Sequence, residues 1–467
     1  MKTLLFPILL ILTFISFLNA QNVYIPDTNF KSKLIELGID TSGDGEISYS
    51  EAEAVISLDV YDSGISDITG IEAFVNLDTL ECYWNSFTSL DVSGLTGLKW
   101  LDCCGTEITT LDVSNNTALT FIACSWTKIT SLDVSSNTEL IYLDCVACDP
   151  TVVGCSGYLT TLDISNNTAL KELYCRRNHF TNLDVSNNPN LEILYCGECE
   201  LTTLDVSNNF TLKELYCSDN QITELNLDNN ITIIELMCKK NQITGLDLSN
   251  NAALKYLQCE NNQLTNLDLP DNGALEGIWC DDNHLTNLDL SGCLSLEKLS
   301  CDDNLITTLD ISNNTALLYL DCTDNQLTTL DVSANINLYY LDISYMPALY
   351  EVCVWEMPFP PAGVTVDTTD SPNVYFTTDC SDDIENILSE NDNIYIYPNP
   401  ATNLLNLYVE TLNDATIEII NINGQKVKQL PLKINKSSID VSRYPKGVYF
   451  IRISNKDFIK VEKVVIY

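Results

Sequence analysis

The chain has 467 residues, a formal net charge of −42, 45% hydrophobic residues and only 2 His. The length exceeds one ordinary domain. The acidic field excludes nucleic acid and anionic membrane surfaces as natural partners and favours cations and basic surfaces. Two histidines leave histidine-based catalysis little material.

Residues 1–20 read as a secretory signal: Lys2, an apolar run over 4–17, and a small-residue end at Ala20. No later apolar run is long enough to span a bilayer. The mature protein is therefore expected outside the cell, soluble or surface-attached.

Residues 21–75 read as an N-terminal cap. Helical spacing covers 30–38 and again 52–56, and between them lies Asp-Thr-Ser-Gly-Asp-Gly-Glu-Ile-Ser-Tyr-Ser-Glu at 40–51. Side-chain oxygens fall at Asp40, Ser42, Asp44, Ser48 and Glu51, with Glu46 offering its backbone carbonyl. This spacing resembles the 12-residue EF-hand loop, which wraps hard oxygens around one Ca²⁺. One structural calcium site is expected, the alternative being an acidic turn without metal. Residues 56–76 read as an irregular first coil that closes an open end.

From 76 to 350 the chain repeats. Leu-Asp followed by Val, Ile or Leu recurs at Leu90, Leu111, Leu132, Leu162, Leu183, Leu204, Leu246, Leu267, Leu288, Leu309 and Leu330, with Leu-Asn-Leu at Leu225. Steps are 21 residues except one of 30, between Leu132 and Leu162. Cys82, Cys103, Cys124, Cys145, Cys175, Cys196, Cys217, Cys238, Cys259, Cys280, Cys301 and Cys322 keep the same step. A fixed period of this size means a solenoid. One coil cannot bury its inward Leu, Cys and Val alone, and stacked coils bury them together. Apolar residues alternate in both halves of each unit, as short strands require. At about 4.8 Å per coil, twelve coils span about 60 Å. Asn178, Asn220, Asn241, Asn262, Asn283, Asn304 and Asn325 end the Cys-bearing strand, where an inward amide can satisfy backbone groups left by the turn.

The pattern Leu-x-x-Leu-x-Cys-x-x-Asn-x-Leu resembles the leucine-rich repeat, and its nested 10+11 form resembles the bacterial IRREKO subclass. The resemblance implies a mainly β fold: a leucine-rich repeat solenoid of 21-residue coils with parallel strands. It implies binding scaffolds more than any one activity.

Two columns on the Cys-bearing strand should point outward. The residue before each Cys runs Glu81, Asp102, Ala123, Asp144, Tyr174, Tyr195, Tyr216, Met237, Gln258, Trp279, Ser300 and Asp321. Two residues earlier stand Trp100, Phe121, Tyr142 and Tyr256, among others, and Trp84 and Trp126 lie near strand ends. A repeat core needs none of these rings. Trp100, Phe121, Tyr142, Tyr174, Tyr195, Tyr216, Tyr256 and Trp279 are thus candidate ligand-binding residues for a protein or polysaccharide. The alternative is a ladder that only stabilises the sheet. A column of aspartates, from Asp91 to Asp331, reads as turn acceptors, with cation binding as the sharper alternative. His179 and His284 read as exposed turn residues. The cysteine column reads as free thiols packing the core, against disulfides or a metal. Cys148 and Cys155 can staple the nine-residue insertion, and Cys353 and Cys380 the solenoid's end.

Residues 351–380 lose the repeat and read as a C-terminal cap, with 381–393 an acidic linker. Residues 394–467 change character. They open on Ile-Tyr-Ile-Tyr-Pro-Asn-Pro-Ala, continue in short alternating strands with Pro-Lys-Gly-Val-Tyr, and close on Lys-Val-Val-Ile. The alternation predicts an Ig-like antiparallel β-sandwich, basic against an acidic remainder. The segment resembles the type A C-terminal sorting domain of the type IX secretion system. That resemblance implies contact with the secretion machinery, export across the outer membrane of a Bacteroidetes-type bacterium, and removal of the domain on release or surface attachment.

No Gly-x-Ser-x-Gly, His-Glu-x-x-His, phosphate loop or zinc spacing occurs. The expected function is a non-enzymatic binding or adhesion scaffold, secreted or on the cell surface. Alternatives are a calcium-stabilised surface-layer component or a surface hydrolase built on paired carboxylates.

Overall fold

The computed structural model describes residues 21–149, 151, 156–269, 273–378, 380, 394–397, 401, 403–409, 415–422, 424–432, 436–454 and 459–466. The signal segment, the linker, Cys155 and part of the insertion lie outside them. The chain falls into two compact units, divided after Leu285, and each is treated by itself.

The first unit opens on a small helical cap. Asp27 caps the helix Thr28–Glu36, accepting from the amides of Asn29 and Phe30 at 2.8 and 2.9 Å, and with its other oxygen from Ser66. Partial burial opposes its ionisation, but these donors outweigh it and hold the carboxyl at about 2. Phe30 and Leu34 are fully buried beneath this helix. The second helix is Tyr49–Ala52, capped by Ser48 in a reciprocal capping box with Glu51. It starts and ends earlier than the spacing over 52–56 implies, because Ser48 supplies the cap and Ser57–Asp59 already pairs as a strand with Thr79–Glu81.

Coils then stack in register, each giving one three-residue strand to a parallel sheet, from Ser57–Asp59 to Gly277–Trp279. The middle residue of each strand, such as Leu101, Leu194 or Leu215, is fully buried, and the cysteine one place beyond lies beneath the sheet. Among the described residues Cys104 is the one free thiol that is partly exposed. Burial pushes the thiols up, Cys217 to about 12 and its neighbours further, so they stay protonated at neutral pH. A thiol reagent is therefore expected to modify Cys104 at most in the folded protein and the column only after unfolding. Rapid modification of several column thiols under native conditions would contradict this packing.

Two rows of buried asparagine tie the coils. Asn220 donates to the carbonyls of Cys196 and Cys217 and accepts from the amides of Cys199 and Leu201. Asn241 and Asn262 repeat this one and two coils on. On the opposite turn Asn188 donates to Ile164 and Asn167, and Asn209 follows the same rule. The other half of each coil departs from expectation. Among the described residues of this unit it forms strands only at Gly245–Asp247 and Asn266–Asp268. Its aspartates bend the chain instead: Asp163, Asp184 and Asp205 each accept from the serine amide two residues on, at 2.9–3.0 Å. Ala123 also departs from its outward column and is buried.

In the second unit, Lys298–Ser300, Tyr319–Asp321, Tyr340–Asp342 and Thr365–Asp367 continue as parallel strands. A second parallel sheet joins Thr329–Asp331, Glu351–Cys353 and Tyr375–Thr377. Cys353 and Cys380 form a disulfide there. Ser300, placed in the outward column, is buried. The C-terminal segment has two antiparallel sheets. One joins Ile394–Tyr397, Leu404–Val409 and Lys436–Asp440, and the other joins Lys426–Leu432, Ala415–Asn421, Gly447–Ser454 and Ile459–Ile466. Leu405 and Ile439 from the first sheet share one core with Ile417, Ile419, Ile451 and Ile453 from the second, which is a sandwich.

Candidate functional site

Six successive in-register strands, from Trp100–Asp102 to Glu214–Tyr216, each carry one ring to the same face. Strand neighbours sit about 4.8 Å apart, which is a stacking distance. Trp100 and Phe121 stack at 3.4 Å and 3°, and Phe121 and Tyr142 at 4.2 Å and 10°. The stack then crosses columns. Tyr142 pairs in register with Glu172 and Asp144 with Tyr174, so the next ring lies diagonally, at 5.3 Å and 39°. Tyr174 meets Tyr195 edge-on at 4.8 Å, and Tyr195 stacks on Tyr216 at 4.0 Å and 15°. Six of the eight sequence-predicted ring residues thus form one run. Tyr256 and Trp279 stand outside it, beyond Met237 and Gln258 in the register. Tyr256 donates to Glu276 at 2.5 Å, and the Trp279 ring lies over Gly277, where a Cβ would come within 2.7 Å of it.

The tyrosine hydroxyls are held by carboxylates. Tyr174 donates to Glu172 at 3.1 Å, Tyr195 to Glu214 at 2.7 Å, and Tyr216 to Glu235. Burial and then Glu235 push the Tyr216 hydroxyl to about 12, so these groups act as donors, not as acids or nucleophiles, near neutral pH. Trp100, Phe121 and Tyr142 cover one another's faces, as do Tyr195 and Tyr216, and these rings offer their edges.

Where the run ends, the surface dips. A cavity of about 360 Å³ is lined by Tyr195, Tyr216 and Met237, with Arg176, Glu198 and Lys239 at its rim. Gly197 forms part of its lining, and a Cβ there would approach the Ser218 carbonyl to 3.0 Å. Glu198 takes Arg176 Nε at 2.8 Å and Arg177 Nε at 3.1 Å, while Lys239 lies 3.4 Å from a Glu260 oxygen. An apolar floor with an ion-paired rim is the layout of a protein contact. The rim was not read from sequence, although Arg176, Gly197, Ser218 and Lys239 form one column two places beyond Tyr174, Tyr195, Tyr216 and Met237.

The residues of the expected calcium loop, 40–51, lie together in the cap. Asp40 accepts from Ser42 Oγ and from the amides of Gly43 and Gly45, and the Gly45 donor leads in holding its carboxyl low. Asp44 accepts from the Glu46 amide. Glu51 accepts from Thr41 Oγ, the Ser42 amide, and the amide and hydroxyl of Ser48, which hold it at about 2. Ile47 is fully buried behind the loop. In residue type this oxygen set fits a hard cation. In placement Asp40, Asp44 and Glu51 do not converge as a triad, since the carboxylate oxygens turn to the loop's own donors. Among the described residues the one such grouping is Asp331 with Cys353 and Cys380, and the two sulfurs there are spent on the disulfide. His179 and His284 are exposed as expected.

Comparison with known proteins gives two results. Residues 395–467 match the secretion system C-terminal sorting domain. Internalin J of Listeria monocytogenes is 37% identical over 72 residues, which is 15% of this chain and only 8% of internalin J. The solved functional domain of InlJ from Listeria monocytogenes, described as including a cysteine ladder, superposes with a TM-score of 0.64 at 27% identity, covering 96% of this chain and 98% of that one. A leucine-rich repeat protein of Leptospira interrogans shares the fold at a TM-score of 0.58 and 20% identity, over 68% of this chain and 85% of its own. An internalin, InlF, of Listeria monocytogenes does so at 0.55 and 21%, over 74% and 95%. No helix among the described residues is long and apolar enough to cross a membrane. The chain is a leucine-rich repeat solenoid carrying a type IX secretion sorting domain, and hence a secreted or cell-surface protein.

Proposed function

We propose that the solenoid is a non-enzymatic adhesion scaffold that binds a protein ligand through the ring run from Trp100 to Tyr216 and the dip beside Met237. The observation that carries this is the continuous run of ring contacts through Trp100, Phe121, Tyr142, Tyr174, Tyr195 and Tyr216 on one face, ending in a cavity with a charged rim. Stacked rings present edges and hydroxyls, which suit a protein surface better than the flat face of a sugar. The periodic carboxylates are engaged in turns, which speaks against a hydrolase. We further propose one structural calcium ion in the loop of Asp40, Ser42, Asp44, Glu46, Ser48 and Glu51, where it would anchor the N-terminal cap.

The test is a binding screen of the purified chain against surface proteins and polysaccharides, with calcium and with chelator, beside a variant carrying Tyr195→Ala and Tyr216→Ala. A protein hit weakened at least about tenfold in the folded variant is expected, since central aromatic anchors contribute about 2 kcal/mol or more each. Chelator is expected to lower the melting temperature without abolishing the hit. Full binding by the variant overturns the assignment of the face, and an unchanged melting temperature overturns the calcium site. Calcium-driven assembly with no ligand supports a surface-layer component instead.

A further inference from the structure

A second aromatic feature lies at the strand ends of the first unit, apart from the ring run. Trp84 and Trp126 are 52% and 47% exposed, and their rings approach to 5.2 Å at an angle of 50°. Rings so tilted do not cover each other's faces. Both residues have left-handed backbone, with φ of 56° and 58°. That conformation favours Asn and Asp, and the same column carries Asp219, Asn261, Asp282, Asp303 and Asp324. The backbone therefore does not select tryptophan here. Gly105 stands between the two, and a Cβ on it would come within 2.7 Å of the Trp84 ring. The glycine leaves the space in which this indole turns toward Trp126.

The main chain of each tryptophan is tied to a carboxylate on the next coil through one intervening peptide. The Trp84 amide donates to the Cys104 carbonyl at 2.8 Å, and the Cys104 amide donates to Asp102 at 3.0 Å. The Trp126 amide donates to the Val146 carbonyl at 2.9 Å, and the Val146 amide donates to Asp144 at 3.2 Å. Asp102 and Asp144 flank the small, buried Ala123 in the strand register. The nearby lysines are spent elsewhere, Lys99 on Asp78 at 3.8 Å and Lys128 on Glu107. Among the described residues neither Asp102 nor Asp144 has a lysine or arginine partner. Burial raises both carboxyls, so each would be relieved by a cation.

We propose that Trp84 and Trp126, with Asp102 and Asp144, dock an arginine side chain presented by a basic segment of a partner protein. Guanidinium is planar, weakly hydrated and bidentate toward carboxylates, so it stacks on indole where a lysine ammonium does so less well. The inference rests on reading this part of the solenoid as a binding surface, but it needs none of the ring run.

The test uses the full chain and three peptides: hexa-arginine, hexalysine and hexaglutamate. Binding is followed by tryptophan emission and by calorimetry. Hexa-arginine is expected to bind more tightly than hexalysine, to shift the emission, and to lose about tenfold in affinity on Trp84→Leu with Trp126→Leu. Asp102→Asn with Asp144→Asn is expected to weaken it similarly. The tryptophan variant keeps every charge, so equal binding by it would reveal adsorption of a polycation to an acidic surface and overturn the proposal. Absence of hexa-arginine binding to the native chain overturns it too. Melting temperatures and the single variants W84L and W126L separate a lost site from a lost fold. Because Tyr195 and Tyr216 stay in place, failure here leaves the reading of the ring run standing.

Discussion

Replacing Asn220 with alanine is expected to lower stability by about 3 kcal/mol, more than any surface change in the solenoid. Its side chain makes bonds of 3.0 and 2.9 Å to the carbonyls of Cys196 and Cys217 and takes the amides of Cys199 and Leu201 at 3.1 and 2.9 Å. Alanine strands three main-chain groups in the interior, the Cys196 carbonyl and the Cys199 and Leu201 amides, each costing about 1 kcal/mol or more, while the Cys217 carbonyl keeps its bond from Asn241. Coils interact only with their neighbours, so the loss concentrates at this turn. Asn229→Ala is the control. Its amide also reaches back one coil, to Ser207 at 2.9 Å, but it does so in solvent, and a change within about 0.5 kcal/mol is expected. Urea midpoints and hydrogen exchange at Cys199 and Leu201 check both. Retained protection of those amides in Asn220→Ala would show that the ladder does not carry the turn.

Deleting residues 394–467 is expected to abolish appearance of the protein outside the cell while leaving the solenoid folded. The sorting segment packs a core drawn from its own residues, among them Leu405, Ile417, Ile451 and Val464. The repeats bury a separate core of Leu, Cys and Asn. Removing one should not expose the other. Cell fractionation with circular dichroism of the retained protein is the check. Export of the truncated chain at native levels would contradict the sorting assignment. A charge in the sandwich core, such as Ile451→Asp, should act like the deletion, because an unpaired carboxylate at a fully buried position cannot be accommodated.

The repeat was legible because its residues serve one purpose each. A leucine recurring every 21 places can only be a stacked core position, and the ring run follows by counting from it. The second asparagine row was not legible, because Ser-Asn-Asn reads as an exposed turn until Asn188 is seen reaching Ile164 and Asn167. The strand expected in the other half of each coil mostly failed for a related reason. Asp163 and its equivalents read as turn acceptors, and in that role their short side chains capture the amide two residues on and bend the backbone, which the alternation of apolar residues does not reveal. The cysteine row hid an exchange of another kind. Cys199 stands at the ladder position held by Asn178 and Asn220, and its thiol replaces the amide, donating to the Cys175 carbonyl at 3.2 Å. For the site, the ring column was visible but its contour was not. The dip depends on Gly197 and Ser218 carrying little side chain between Arg176 and Lys239, and the pairing of Trp84 with Trp126 depends on Gly105 between them. Both are statements about what is missing from a column.

The most direct test of the account is tyrosine-directed footprinting of the exported protein, free and bound to the protein ligand recovered by the screen. Protection is expected to centre on Tyr195 and Tyr216, extend to Tyr174 and Tyr142, and leave Tyr339 and Tyr350, both exposed in the second unit, unchanged. Unchanged labelling at Tyr195 and Tyr216 with protection confined to other tyrosines would contradict the ring face as the binding surface.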